Sequence, residues 1–354
     1  LPAAVAAAGN GACRRKDTMS DFDLVVVGDC NADLLVSGGD VVPAFAQQER
    51  LVDRAHLTIG GSGGICAAGA ARLGLRVAMV GVIGDDMFGR FMRESLAARQ
   101  VDVSGVRTDP RIPTGLSIHL IRDDDRAIIT NPGTIPELRG EQVDPGLLTS
   151  ARHVHVSSYF LQSGLWPGLP GLLRRARAAG ATVSLDPNWD PAQTWDQGLS
   201  EVYGLLDVLL PNDAEAVELA AAKAVAGTVA RAAAGPARLT VEEAARALTA
   251  AGPASVVVKL GAEGALAARP DGQLIRVPAV PDVRPVDSVG AGDSFDAGFL
   301  AATLWGLDTR RALAIGAACG ALSTRCAGGT DAQATREEAI ATASGLIGEV
   351  LTGR

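Results

Sequence analysis

The sequence predicts an α/β fold: one doubly wound, mostly parallel sheet with helices on both faces, and a small β-sheet lid beside it. Three observations predict it. Leu24-Val25-Val26-Val27-Gly28 is an unbroken apolar run, the pattern of a strand covered on both faces. From residue 150 onward, strand-like and helix-like segments alternate, which implies right-handed βαβ units. The segments near 33–58 and 112–131 are too polar for the interior of that sheet and are assigned to the lid.

Taken in order, residues 1–20 read as a disordered extension, with Met19 a candidate natural start. The apolar stretch Leu1 to Cys13 precedes the basic cluster Arg14-Arg15-Lys16, the reverse of the order in a secretory signal. Residues 21–354 form the remaining domain. Residues 62–73 predict a small-residue helix, Val77 to Val82 a strand, and Met87 to Ala98 an amphipathic helix. Gly115 to Ile121 and Ala127 to Thr130 predict a hairpin around the charged turn Arg122 to Arg126. Strands follow at His153–Ser157, Thr182–Asp186, Val208–Pro211 and Ser255–Leu260, with helices between them at 168–179, 213–223 and 240–251. Helices at 291–305, 309–325 and 335–352 close the chain. The alanine-rich stretch Ala220 to Ala237 reads as an extended helix and loop insertion.

Composition narrows the function. The 354 residues carry a net charge of -8, so no basic surface exists to neutralise nucleic-acid phosphates. No stretch reaches the length and apolarity of a membrane span. The cysteines Cys13, Cys30, Cys66, Cys319 and Cys326 are scattered and form no C-x-x-C pair, which suits a reducing cytoplasm. His153 and His155 share a strand face but lack a third ligand at sensible spacing, so they read as satisfied core histidines. Trp189, Trp195 and Trp305 read as packing residues.

Two segments carry chemistry. In the first, Asp287-Ser288-Val289-Gly290-Ala291-Gly292-Asp293, three small residues precede an apolar helix. Their N–H groups and the helix dipole suit an anion. Asp293 at the mouth of that anion hole suits proton abstraction from an attacking hydroxyl; taken alone, it could merely cap the helix. The second segment, Gly60-Gly61-Ser62-Gly63-Gly64, lets backbone approach a ligand closely. Neither a Walker A loop nor a dinucleotide fingerprint is present, since Cys66 breaks the G-x-G-x-x-G pattern.

These two segments resemble the two signatures of the ribokinase-like (PfkB) carbohydrate kinase family, with the motifs in the same order over roughly residues 22 to 350. The resemblance implies a ribokinase-like fold and ATP-dependent phosphorylation of a sugar hydroxyl, with ATP, Mg²⁺ and K⁺ as cofactors. It implies that Asp293 is the catalytic base and that Gly290, Ala291 and Gly292 form the anion hole. Asn31 and Asp33, with Gly60, Gly61 and Ser62, would bind the acceptor. Asn212, Lys259, Gly261 and Gly264 would face ATP, and Glu215 would organise magnesium through water. Asn212 and Glu215 alone would equally make a helix capping box. Asp287, Val289, Arg325 and Ala327 would surround a monovalent cation.

Departures shape the substrate expectation. Ile65 stands where relatives often carry Asn, Asp190 where sugar-acid kinases carry Arg, and Ser62 where some relatives carry Lys. Few cations are therefore expected around the pocket, which favours a neutral, unphosphorylated monosaccharide, with a nucleoside second. A homodimer through the lid is also expected. A non-catalytic sugar- or nucleotide-sensing protein is the reading from another class, and Asp293 beside an unbroken anion hole speaks against it.

Overall fold

The computed structural model describes residues 20–122, 125–227 and 239–351. The expected N-terminal extension, the tip of the charged turn and most of the alanine-rich insertion lie outside the described residues.

The large sheet is built on β1 (Phe22–Val27). Its Leu24 and Val26 pack into one core and its Val25 and Val27 into the other, all fully buried. A period of two with both faces apolar is why the run carries no polar residue. The chain then leaves the large sheet for β2 (Ala32–Ser37) and β3 (Arg54–Ile59) of the lid. It returns through α1 (Ser62–Arg72), β4 (Val77–Gly84), α2 (Met87–Ala98) and β5 (Val101–Asp109). The hairpin β6 (Leu116–Arg122) and β7 (Asp125–Asn131) completes the lid.

The second half winds the other way. It runs α3 (Pro145–Thr149), β8 (Ala151–Val156), α4 (Leu169–Ala178), β9 (Thr182–Leu185), β10 (Val208–Leu209), α5 (Asp213–Gly227), α6 (Val241–Ala250) and β11 (Val256–Lys259). The edge strands β12 (Ala265–Ala268) and β13 (Leu274–Val277) precede α7 (Ala291–Leu304), α8 (Thr309–Ser323) and α9 (Arg336–Ile347). The order is β13-β12-β11-β10-β9-β8-β1-β4-β5, parallel except for the antiparallel pairs β11–β12 and β12–β13. The winding reverses between β1 and β8, so their carboxyl ends open a crevice where open α/β sheets bind ligands.

The expected elements are present with ends shifted by a few residues. Sequence reading missed three strands of the large sheet: β5, β12 and β13. Strand β5 lies at the sheet's edge and mixes buried with exposed positions, and β12 and β13 are only four residues each. His153 and His155 are the expected core histidines. His153 bonds the hydroxyls of Thr182 and Ser184, and His155 that of Ser184. Burial pushes their pKa values down to about 4 and about 3, so both are neutral.

The lid sheet has the order β3-β2-β6-β7. Its register places Asp33 beside Ser117, and Ser117 beside Thr130. Asp86 fixes the entry to the β6–β7 hairpin. Its carboxylate caps α2 through Gly89 N–H at 2.8 Å and also accepts the N–H and hydroxyl of Thr114, at 2.8 and 2.7 Å. Asp86→Ala leaves these donors unpaired and is expected to lower unfolding stability by about 2 kcal/mol. An unchanged urea midpoint would contradict this role.

Candidate active site

The switch point and the inner face of the lid enclose an open cleft of about 690 Å³. Its floor starts at Asp29, just past β1. The buried Asp29 carboxylate accepts the N–H groups of Ser62 and Gly63 at 3.1 and 2.9 Å and the hydroxyl of Ser158 at 3.0 Å. It thereby seats the glycine-rich start of α1. Sequence reading passed over Asp29 as a site residue, although an acid directly after a buried strand was visible.

The acceptor wall is built by the lid. Asn31, Asp33, Ser117, His119, Ile128 and Thr130 line the cleft, and the strand pairing puts those from β2, β6 and β7 on one face. Asn31 donates to Asp33 at 3.2 Å, and His119 Nε2 lies 3.3 Å from the same carboxylate. Gly61 and Ser62 line the cleft as expected. Gly60 does not. A Cβ there would sit 2.0 Å from Asp33 Oδ1, so Gly60 makes room for Asp33.

The opposite end is the N-terminus of α7. Gly290 is its N-cap residue at φ 70, and no side chain caps the helix. A Cβ at Gly290 would also meet Gly329 Cα at 2.7 Å. Gly290, Gly292 and Asp293 line the cleft, and Ala291 opens the helix between them. Asp293 is therefore not the helix cap. Burial, and then the negative charge of Asp186, raise its pKa to about 7.

Beneath Asp293 lies an ion cluster. Lys259 Nζ sits 2.7 Å from Asp186 and 3.1 Å from Asp296, with all three side chains largely buried. Burial opposes charge on Asp186, but the Lys259 ammonium holds its pKa below the usual carboxylate range. Burial raises that of Asp296 well above it. Lys259 lines the cleft, with its ammonium held between two carboxylates.

Asn212, Glu215 and Gly261 also line the cleft. Asn212 and Glu215 make the reciprocal capping box at the start of α5, both bonds at 2.8 Å. Burial, and then Asp186, raise Glu215 to about 7. Gly264 is a correction: at φ 94 its Cβ would meet Val277 O at 2.1 Å, so it shapes the turn into β12 away from the cleft. Asp287 joins two loops, accepting Val289 N–H and Gly328 N–H, each at 2.9 Å. Gly328 directly follows Ala327, so the Asp287 loop lies against the loop that follows α8, with the Arg325 side chain turned to Glu338.

Three further expectations change. Asp190 does not face the cleft; its buried carboxylate accepts the N–H groups of Ala192, Thr194 and Trp195 and folds that turn. Its charge therefore does not repel a ligand there. Trp189 is half exposed and lines the cleft, packed edge-on against Trp195 at 4.9 Å. Arg126 of β7 reaches across the cleft mouth to Ser288 Oγ at 2.8 Å, a cation that spacing alone did not place.

Known proteins resemble this chain in sequence and in fold. The family model described as pfkB family carbohydrate kinase matches residues 21–336. The chain is 32% identical to an ATP-dependent ribose-1-phosphate kinase of Halopiger xanaduensis, over 75% of this chain and 79% of the relative. It is 28% identical to a ribokinase of Haemophilus influenzae, over 90% and 97%. The crystal structure of a ribokinase from Thermotoga maritima superposes with a TM-score of 0.74 at 25% identity, covering 91% of this chain and 99% of that one.

The Asp293 pKa yields a stability test. Its folded value of about 7 exceeds the ordinary aspartate value of 3.8, so the folded chain holds this proton more tightly than the unfolded one. The stability it contributes is full below the unfolded value and is lost as pH rises through about 7. Asp293→Asn removes that loss. The variant is expected to melt about 2 °C or more above wild type at about pH 8, with a smaller gap at about pH 5. Equal melting at the higher pH would contradict the raised pKa.

Proposed function

The chain belongs to the pfkB family of carbohydrate kinases, and on that premise we propose that it transfers the γ-phosphoryl group of ATP to a hydroxyl of a small neutral sugar. Kinase activity on a sugar or nucleoside follows from the family and the relatives. The observation that carries the finer reading is one cleft with a hydroxyl-binding wall at Asn31 and Asp33 and an uncapped helix N-terminus with Asp293 at its other end.

In this reading Asp293 accepts the proton of the acceptor hydroxyl as its oxygen attacks the γ-phosphorus and ADP leaves. The N–H groups at the start of α7 stabilise charge on the transferred group. Glu215 would reach magnesium through water, and the ion would neutralise phosphate charge; magnesium usually binds through few protein carboxylates plus substrate phosphates. That fits the described residues, among which no cluster of three or more His, Cys, Asp and Glu side chains forms a metal cage. Asp287, the Val289 carbonyl and backbone near Arg325 and Ala327 would hold potassium and steady the anion hole. The free buried cysteines Cys30, Cys66 and Cys319 suit a reducing cytoplasm. The exposed edge strand β7 supports pairing of lids in a homodimer.

A phosphorylated pentose is the second reading, favoured by Arg126 at the cleft mouth. Against it stand six carboxylates in the cleft lining: Asp29, Asp33, Asp186, Asp213, Glu215 and Asp293. Turnover of D-ribose, D-fructose, adenosine, ribose 1-phosphate and ketodeoxygluconate, followed by ADP release with ATP and magnesium, decides between them. A neutral sugar is expected to have the highest kcat/KM. A preference above about tenfold, some 1.4 kcal/mol in transition-state binding, for any other acceptor would overturn the choice. With the best acceptor, Asp293→Asn is expected to cut kcat by about 100-fold or more. Near-normal turnover would remove Asp293 from the mechanism.

A further inference from the structure

Gln333 lies in the loop before α9, 2% exposed and outside the cleft lining. Its amide nitrogen donates to the Ile65 carbonyl of α1 at 2.9 Å and to the Ser294 hydroxyl of α7 at 3.1 Å. A carbonyl oxygen only accepts, so the NH₂ end must face Ile65 and the amide has one orientation. Both of its N–H bonds are then in use, and Oε1 has no partner in the protein.

The two contacts fall at matching points of the two helices. Ile65 N–H bonds Gly61 O at 3.0 Å, and Ser294 N–H bonds Gly290 O at 2.9 Å. Gly61 and Gly290 are the N-cap residues of α1 and α7, both at φ 70, and both line the cleft. Gln333 thus grips each helix one turn in from the end that faces the cleft. Gly69 makes room for the grip. A Cβ there would sit 2.7 Å from Gln333 Nε2 and 3.1 Å from Ala297 of α7. The Gln333 carbonyl accepts Arg72 Nε, from the last residue of α1, so that helix is held at both ends.

A buried amide with one atom unpaired is a costly way to fill space, and an apolar side chain of similar size would avoid that cost. What the amide adds is direction, since two hydrogen bonds fix where one helix lies against the other. Resting on the kinase reading above, we propose that Gln333 is a positioning residue, which ties α1 to α7 and so sets the spacing between the acceptor-binding Gly61–Ser62 end and Asp293. Asp293 directly precedes Ser294, so a shift of α7 against α1 moves the base relative to the hydroxyl it must reach. A misplacement of about 1 Å can cost about 100-fold in rate.

The test uses whichever acceptor wild type turns over best. Gln333→Leu removes both donors and keeps most of the volume. It is expected to lower kcat about tenfold while the KM for ATP stays within about twofold. Ser294→Ala removes the α7 bond alone and is expected to give a loss of the same order, with little added when the two are combined. The deciding measurement is a double-mutant cycle with Asp293→Asn. A residue that acts by placing the base has little left to lose once the base is gone. In the Asp293→Asn background, Gln333→Leu is therefore expected to change kcat by less than about twofold. A merely structural role would give the same loss in both backgrounds, and that additivity overturns the proposal. So does a wild-type kcat in Gln333→Leu. Should Gln333→Leu fail to fold, the same cycle run with Ser294→Ala decides by the same two outcomes. If Asp293→Asn alone keeps near-normal turnover, or wild type turns over no acceptor, the reading of the site itself falls, and this inference with it.

Discussion

The Lys259 ammonium, buried between the carboxylates of Asp186 and Asp296, is the interaction on which the rest of the site depends. It joins three elements: the end of β11, the turn after β9, and the first turns of α7. Asp296 lies three residues after Asp293, so anchoring one places the other on the cleft side of the same helix. A buried ion pair of this kind adds little net stability, because desolvation offsets attraction. Its effect here is positional. Burial raises Asp293 and Glu215 toward neutrality; the charge of Asp186 adds to that rise and the charge of Lys259 opposes it.

From that anchor the cleft divides into halves of opposite character. Uncapped N–H groups at the start of α7 form the donor end. The lid supplies the acceptor-rich end, where Asp33 draws the amide of Asn31 toward itself. Arg126 spans the halves by reaching Ser288. On the proposed function, the substrate would be held with hydroxyl groups toward the lid and developing negative charge toward the helix, an arrangement that favours one direction of attack.

The fold was legible because β1, β4 and β8–β11 are covered on both sides and are therefore mostly apolar on both faces, the few buried polar side chains such as His153 and Ser184 pairing with each other. The lid was legible for the opposite reason: the inner positions of its strands must meet a polar ligand. Edge strand β5 escaped because its pattern, VDVSGVRTD, lacks the clean alternation of a half-buried strand. Asp293 and Gly290 were picked out by local pattern at a helix N-terminus and Asn31 by family resemblance, and all three line the cleft. The partners of Lys259 could not be found that way. Asp186 and Asp296 lie 73 and 37 residues from it, and nothing local distinguishes a lysine that meets phosphate from one that meets carboxylates. Asp190 misled for a related reason. Position in a motif was taken as direction, but the carboxylate turns back on its own loop. His119 carried no local mark in the sequence, and its place beside Asp33 appears only in the register of the lid.

The account turns on a carboxylate that is poised near neutrality and must lose its proton before it can take one. The pH dependence of kcat/KM for the acceptor at saturating ATP tests this most directly. The predicted profile rises about tenfold per pH unit on the acid side and levels above about 7, where Asp293 is ionised. A rate unchanged from about pH 5 to about pH 8 would contradict it, because a single titrating base cannot give a flat profile across its own pKa.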